Sequence, residues 1–99
     1  MANAESLPFK DASFDAYFSN LCLMHVHNHR NQLKECFRVL QPGARAAFSV
    51  WGRPERSAAF SLFYDCLKEV GGEQPHRLGF HLGEDPQILV NDMTQAGFT

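Results

Sequence analysis

The chain has 99 residues, of which 44% are hydrophobic and 20% charged, and its formal net charge is −2. Its length suits one domain, and its composition excludes a wholly disordered chain, a collagen-like fibre and a coiled coil. A weakly acidic chain has no bulk attraction for nucleic acid or for an anionic membrane, so neither is an expected partner.

The first predicted elements are a turn region and a strand. Residues 1–13 have the composition of turns. The aromatic run over 14–19 predicts a buried strand, with Phe14, Ala16 and Phe18 on one face.

A helix is predicted over 30–40, with Asn28 or Asn31 as its N-cap and Pro42-Gly43 as its stop. Its apolar stripe consists of Leu33, Cys36, Phe37 and Leu40. Glu35 and Arg38 are three residues apart on this helix, a spacing typical of a solvated ion pair.

Residues 45–51 predict a second strand, and residues 57–70 predict a second helix that ends at Gly71-Gly72. The apolar stripe of this helix consists of Phe60, Phe63, Leu67 and Val70. Residues 73–84 are expected to form a loop with two histidines.

A last helix is predicted to begin at Asp85-Pro86 and to end at Gly97. Strands that alternate with helices predict an α/β fold with parallel strands joined by crossovers. Two parallel strands alone make a poor sheet with open edges, so the pattern indicates part of a doubly wound domain.

Neither export nor membrane insertion is indicated. The longest apolar stretch, Leu21 to Val26, is interrupted by His25 and is too short to span a bilayer. The acidic N-terminus lacks the features of a signal peptide. Three cysteines without a CxxC spacing indicate reduced thiols, each a small buried apolar side chain, and we expect a cytoplasmic location.

Short motifs occur in a fixed order along the chain. The specific ones are Ala2-Asn3-Ala4-Glu5-Ser6-Leu7-Pro8-Phe9, Ser13-Phe14-Asp15, and Glu35-Cys36-Phe37-Arg38-Val39-Leu40-Gln41-Pro42-Gly43. Looser ones are Trp51-Gly52-Arg53-Pro54, Phe80-His81-Leu82-Gly83 and Ala96-Gly97-Phe98. Together they resemble the type 11 class of S-adenosylmethionine-dependent methyltransferases, which includes the ubiquinone and menaquinone biosynthesis enzymes.

The resemblance implies a seven-stranded Rossmann-like sheet with the cofactor, S-adenosylmethionine, at the carboxyl ends of its strands. Asn3 and Ala4 match the segment that contacts the adenine end, and Ser19 matches a contact at the end of the fourth strand. Including their neighbours, the implied cofactor-binding residues are Asn3, Ala4, Glu5, Ser19, Asn20 and Leu21.

The chain departs from the family in having no two glycines with GxG spacing. The family's glycine-rich loop and the acid that binds the ribose are therefore missing. We expect residues 1–99 to form the C-terminal part of the domain: about two core parallel strands with three or four helices, truncated relative to the full fold.

Histidines and a tryptophan are the candidate acceptor-binding residues. His25, His27 and His29 alternate as metal ligands on an extended strand would, but no carboxylate or thiolate lies close, and no metal is expected. His25 or His27 could serve as a base, although solvated loop histidines are the simpler interpretation. Trp51 ends the second strand, where it either packs or contacts the acceptor.

The function implied by the resemblance is methyl transfer from S-adenosylmethionine to a small-molecule acceptor. Direct displacement from a sulfonium needs mostly alignment and desolvation, so no catalytic residue is assigned. Whether the 99 residues are active alone is left open. The alternative is a non-catalytic remnant that acts as an interaction or regulatory module and self-associates through open sheet edges. A third reading is that two chains complete the sheet jointly.

Overall fold

The computed structural model describes residues 1–73 and 81–99. It confirms the predicted α/β class, with two parallel strands and four α-helices in these residues. The elements are β1 (Phe14–Asn20), α1 (His29–Val39), β2 (Leu40–Ser49), a 3-10 turn (Pro54–Arg56), α2 (Ala58–Glu69), α3 (His81–Glu84) and α4 (Pro86–Ala96).

The two strands pair in parallel, and α1 covers one face of the sheet. Ser19 lies beside Phe48 on the face that α1 covers. The strand predicted over 14–19 is confirmed, but the expectation that Phe14, Ala16 and Phe18 are buried is wrong. All three are exposed, and Phe18 is 74% exposed, because no described element packs on their side.

The start of β2 differs from the predicted boundary. Instead of a helix to residue 40 and a strand over 45–51, the strand begins at Leu40 and ends at Ser49. Between Leu40 and Arg45 the strand makes an excursion, since only one residue of β1 separates their two partners. Gly43 lies in this excursion with a φ of +80°. The proline-glycine pair therefore interrupts the strand rather than separating it from the helix.

Asn28 is the N-cap of α1: its side-chain oxygen accepts a hydrogen bond from the backbone N–H of Arg30 at 3.1 Å. Leu33 and Cys36 of the predicted apolar stripe are fully buried. Burial raises the pKa of Cys36 to about 12, so this thiol is protonated at neutral pH. Phe37 lies at the margin of the stripe and is half-exposed.

The hydrophobic core is small and lies between the sheet and one layer of helices. Its buried members are Leu23, Met24, Leu33 and Leu82. The shortest dimension of the fold, 18 Å, has room for two layers, which pack about 10 Å apart. Within the described ranges, no helix is long and apolar enough to cross a membrane.

Helix α2 confirms the helix predicted over 57–70 but not its predicted apolar face. Phe63 and Val70 are 53% and 79% exposed, whereas Tyr64 is buried. The helix packs chiefly against the preceding 3-10 turn, whose Pro54 is buried. The spacing of apolar residues could not show which side of α2 is buried, because the helix extends away from the sheet.

The predicted loop over 73–84 and the motif that begins at Phe80 lie partly outside the described residues. The last four residues of that loop form helix α3 instead, and its Leu82 belongs to the core. The predicted last helix is confirmed at both ends. The Asp85 carboxylate caps α4 by accepting a backbone N–H at 3.0 Å, and Gly97 ends it with a φ of +115°.

A buried carboxylate joins α4 to the beginning of α1. Asp92 is 5% exposed, and it accepts hydrogen bonds from His29 Nε2 at 2.7 Å and Arg30 Nε at 2.9 Å. Burial alone would raise the pKa of Asp92, but these two hydrogen bonds outweigh it and lower the pKa below its ordinary value of 3.8. The two helices are thus held together by charge as well as by apolar contact.

Asp92→Ala is expected to reduce the free energy of unfolding by about 2 kcal/mol, because it removes the acceptor of two donors. Urea denaturation at neutral pH measures this loss. Gln95→Ala, on the exposed side of the same helix, is the matched control and should change stability by less than about 0.5 kcal/mol.

The same variant should show a defined pH dependence. Since the pKa of Asp92 is lower in the folded chain than in the unfolded chain, its stabilising contribution is present above the ordinary value of 3.8 and is lost as pH falls through the folded pKa. The stability difference between wild type and Asp92→Ala should therefore narrow in acid. A difference that stays constant down to the acid transition would contradict this assignment.

Candidate functional site

The carboxyl ends of β1 and β2 lie at one edge of the sheet because the strands are parallel. Helix α1 is the crossover between them, so it runs back along the sheet and begins at that same edge. In open α/β sheets, ligands bind just outside the carboxyl ends of the strands. We call this region, where β1, β2 and the start of α1 meet, the carboxyl edge.

A hydrogen-bonded turn leads the chain out of β1 at the carboxyl edge. The Ser49 hydroxyl donates to Asn20 Oδ1 at 2.5 Å, and the Leu21 N–H donates to Ser49 Oγ at 3.0 Å. Leu21 adopts a φ of +50°, a conformation that such a residue rarely holds without support. Within the described part of the chain, the Asn20 amide nitrogen has no hydrogen-bond acceptor, so it is free to donate to a ligand.

Ser19 faces the interior of the fold instead. It is 5% exposed, and Gln32 Nε2 donates to its hydroxyl oxygen at 3.2 Å and to the Tyr17 hydroxyl at 3.2 Å. Gln32 Oε1 is buried and has no partner among the described residues. The Ser19 side chain therefore serves the contact between sheet and helix.

The N-terminal segment, residues 1–11, is anchored at the beginning of α1. Glu5 accepts hydrogen bonds from the Asn28 backbone N–H at 3.0 Å and from Asn31 Nδ2 at 3.3 Å. The hydrogen bond from Asn28 lowers the pKa of the Glu5 carboxyl, so Glu5 is ionised at neutral pH. Its carboxylate is used by the helix, which makes Glu5 an anchor of the segment rather than a free ligand group.

Asn3 and Ala4 precede this anchor in a tight turn. Asn3 Oδ1 accepts the backbone N–H of Glu5 at 2.9 Å, and the Asn3 carbonyl accepts the N–H of Ser6 at 3.0 Å. Further along, Leu7 contacts the middle of α1 through Glu35. Since the segment runs toward the start of α1 as the numbers fall, Asn3 and Ala4 lie at the carboxyl-edge end of the helix.

Trp51 lies just beyond β2 and is packed by elements from later in the chain. Its ring meets that of Phe60 edge-on, with centroids 4.8 Å apart. On the other side, a Cβ at Gly83 would be 1.7 Å from the Trp51 carbonyl oxygen, so α3 can approach only with glycine there. The ring remains half-buried, which leaves part of it available at the carboxyl edge.

His25 lies in the loop between β1 and α1, where its side chain is exposed. His29, by contrast, is the first residue of α1 and contacts Asp92. Across residues 1–73 and 81–99, no three histidine, cysteine or acidic side chains come together as a metal site. Of the cysteines, Cys22 and Cys66 are exposed, so the expectation that each is buried holds only for Cys36.

Sequence reasoning missed the structural partners of Glu35 and Arg38. Their spacing predicts the ion pair correctly, with Arg38 Nε 2.8 Å from Glu35 Oε1. It could not show that both side chains also bind the backbone of residues 7–9, which lie 28 or more positions away. Both residues belong to one of the specific motifs, and that motif is the sequence feature that could have indicated a role beyond the ion pair.

Comparisons with known proteins identify a family and several relatives to which this chain is similar. Residues 1–48 match the family model of the methyltransferase domain. The O-methyltransferase resE of Aspergillus sclerotiorum is 46% identical over 100 residues, which cover 91% of this chain and 38% of that protein. The ubiquinone/menaquinone biosynthesis C-methyltransferase UbiE of Bartonella quintana is 52% identical over 44 residues, covering 44% of this chain and 17% of that protein.

A crystal structure of a candidate methyltransferase from Bacillus halodurans C-125 aligns with a TM-score of 0.69 at 24% identity, over 98% of this chain and 43% of that one. The chain thus shares the fold of part of that protein, and the predicted fold class is confirmed. The resemblance to the type 11 methyltransferases is confirmed as well. The chain spans less than half the length of each of these proteins.

Gly83→Ala is expected to destabilise the protein by about 2 kcal/mol, because the new methyl group would overlap the Trp51 carbonyl. Trp51 is the one tryptophan in the sequence, so its fluorescence during chemical denaturation reports the change. Gly52→Ala is the matched control, since a Cβ at Gly52 has nothing within 4 Å. Equal stability of the two variants would show that α3 does not approach Trp51 this closely.

Proposed function

We propose that residues 1–99 form the part of an S-adenosylmethionine-dependent methyltransferase domain that binds the adenine end of the cofactor. The proposal is supported by two separate segments, both of which lead to the carboxyl edge: one is anchored at the start of α1 by Glu5, and the other is the end of β1. One holds Asn3 and Ala4, and the other holds Asn20 and Leu21. These are the positions that the family resemblance assigns to cofactor binding, and they are 16 or more positions apart in the sequence.

The chemistry of these residues fits an adenosine group. An exposed amide nitrogen on Asn20 can donate to a ring nitrogen or a hydroxyl, and backbone groups of the Asn3 turn can accept from the exocyclic amine. Leu21 and Trp51 add apolar surface on which a planar base can rest. We propose that Asn20 and the Asn3 turn give orientation, while Leu21 and Trp51 exclude water.

The bound cofactor would supply a methyl group on a positively charged sulfur. An acceptor oxygen, nitrogen or carbon forms a bond to that methyl group, and the sulfur keeps the electron pair and leaves as a neutral thioether. An acceptor that carries a proton releases it to a base or to water. Because the leaving group is already activated, the protein contributes mainly by aligning the reactants and excluding water.

The acceptor that we propose is a small molecule with a nucleophilic oxygen. A relative that matches 91% of this chain, resE, is named an O-methyltransferase. His25 and Trp51 remain the candidate acceptor contacts, because both lie near the carboxyl edge and neither is fully buried. A cytoplasmic location belongs to the same proposal.

Asn20→Ala is expected to weaken binding of S-adenosylhomocysteine about fivefold to tenfold, which corresponds to one lost hydrogen bond. Isothermal titration calorimetry on the full chain and the variant measures this. Asn91→Ala, an exposed asparagine on α4, should leave the affinity unchanged. Equal weakening in both variants, or no binding by the wild-type chain, would contradict the proposal.

A second candidate function is that of an interaction module, and one observation favours it. In the described residues, β1 pairs with β2 on one side only, and its outer edge is free. The uncovered face beside that edge carries Phe14 and Phe18. A free edge next to exposed aromatic rings is a surface on which another strand can add, whether from the same polypeptide or from a second copy.

Phe18→Lys is expected to raise the dissociation constant for self-association about tenfold or more, because it places a charge on the apolar face beside the edge. Sedimentation velocity over a range of protein concentrations measures the association. Val70→Lys, which changes an equally exposed apolar residue on α2, is the control and should associate like wild type. A wild-type chain that stays monomeric at every concentration would exclude pairing of this edge with a second copy of the chain.

A further inference from the structure

We propose that Glu35 and Arg38 are positioning residues that fix the N-terminal segment along α1 and so set where Asn3 and Ala4 meet the adenine. The consequence for ligand binding rests on the proposed function. The fixing of the segment is a separate claim, and it stands on the geometry of these side chains alone.

The Arg38 guanidinium is the centre of this arrangement. It binds Glu35 in a bidentate pair, with Nε to Oε1 and Nη2 to Oε2 both at 2.8 Å. Its remaining N–H groups reach the N-terminal segment: Nη1 donates to Asp11 Oδ1 at 2.7 Å and to the Phe9 carbonyl at 2.8 Å, and Nη2 donates to the Leu7 carbonyl at 3.1 Å. One side chain therefore joins the helix to three points of the segment.

Glu35 completes the arrangement from the other side. Its Oε2 accepts the backbone N–H of Leu7 at 2.7 Å, so both backbone polar groups of Leu7 are bound by this one ion pair. The hydrogen bonds from Arg38 lower the pKa of Glu35 and keep its carboxylate ionised as an acceptor. The bond to Leu7 is accordingly charge-assisted, and so among the stronger protein hydrogen bonds.

An ion pair near the surface ordinarily contributes little to stability. The Glu35–Arg38 pair instead holds the N-terminal segment in place. Residues 1–11 contain no helix and no strand of the sheet, so apart from the Ser6–Asn3 bond their backbone relies on side chains for its hydrogen bonds. The Glu5 anchor holds the segment at the start of α1, and the Glu35–Arg38 pair holds it near the end of the helix. Two attachments along a rigid helix fix the direction of the segment, and hence the position of Asn3.

Two variants test the proposal, Glu35→Ala and Arg38→Met, with Lys34→Ala as a matched control on the exposed side of the same helix. Hydrogen exchange of the full chain is the first measurement. We expect the Ser6 and Leu7 amides to exchange about tenfold faster or more in the two variants. The amides in the middle of α1 should stay protected, and Lys34→Ala should match wild type.

The second measurement compares S-adenosylhomocysteine with S-inosylhomocysteine, in which a carbonyl oxygen replaces the exocyclic amine of the base. We expect wild type to prefer the adenine compound, and Arg38→Met to bind it about tenfold more weakly and to lose most of the preference. A merely structural role would lower the unfolding temperature without changing the ratio of the two affinities. Arg38→Lys, which keeps the positive charge but not the planar guanidinium that forms the bidentate pair, should restore only part of the preference.

The outcomes separate the two claims. Unchanged exchange of Ser6 and Leu7 in both variants would overturn the positioning role, whatever the binding result. Faster exchange with an unchanged preference in Arg38→Met would overturn the link to the adenine. If wild type binds neither compound, the proposed function fails, while the exchange data still decide whether Glu35 and Arg38 fix the segment.

Discussion

Helix α1 is the element on which the rest of this structure depends. Two parallel strands cannot be joined by a short turn, so the connection between β1 and β2 must return along the sheet, and α1 makes that return. The helix then fixes three other parts of the chain through polar side chains. Gln32 donates hydrogen bonds to the sheet, and Arg38 and Glu35 form hydrogen bonds with the N-terminal segment. His29 and Arg30 donate hydrogen bonds to Asp92 of α4.

Polar contacts hold many of these elements together because the apolar core is small. Among the described residues, its buried cluster holds four side chains, and on the other face of the sheet no helix covers Phe14 or Phe18. A chain of this length buries a modest fraction of its surface, so hydrogen bonds from charged groups matter more to its geometry than they would in a larger domain. The same contacts bring the N-terminal turn and the end of β1 to one edge.

The carboxyl edge fits the proposed role in methyl transfer, which needs recognition and the exclusion of water more than it needs catalytic side chains. Its polar groups, on Asn20 and the Asn3 turn, suit recognition, and the neighbouring Leu21 and Trp51 suit the exclusion of water. In the proposed function, this edge would supply the binding of the cofactor. The free edge of β1 and the exposed Phe18 mark the side on which further strands of a methyltransferase fold would be accommodated.

Much of the fold could be predicted from the sequence, since the relevant information is local. The strand at 14–19, the Asn28 cap and the Asp85–Gly97 helix follow from side-chain period and from the backbone preferences of asparagine, aspartate and glycine. The motifs also predicted the methyltransferase resemblance. The alternation of side chains along a strand could not show which of its faces would be covered, and so Phe14 and Phe18 were expected to be buried.

What only the tertiary structure decided involves partners far apart in the chain. The pairing of β1 with β2 turned the Ser19 side chain toward Gln32 and away from the carboxyl edge. The packing of α4 on α1 buried Asp92 beside His29, and the close approach of α3 gave Gly83 its role against Trp51. The sequence by itself determined which elements form, because helix and strand preferences act over a few residues. Which side chains meet was decided by the crossover and by the order in which elements stack, and neither is encoded in local spacing.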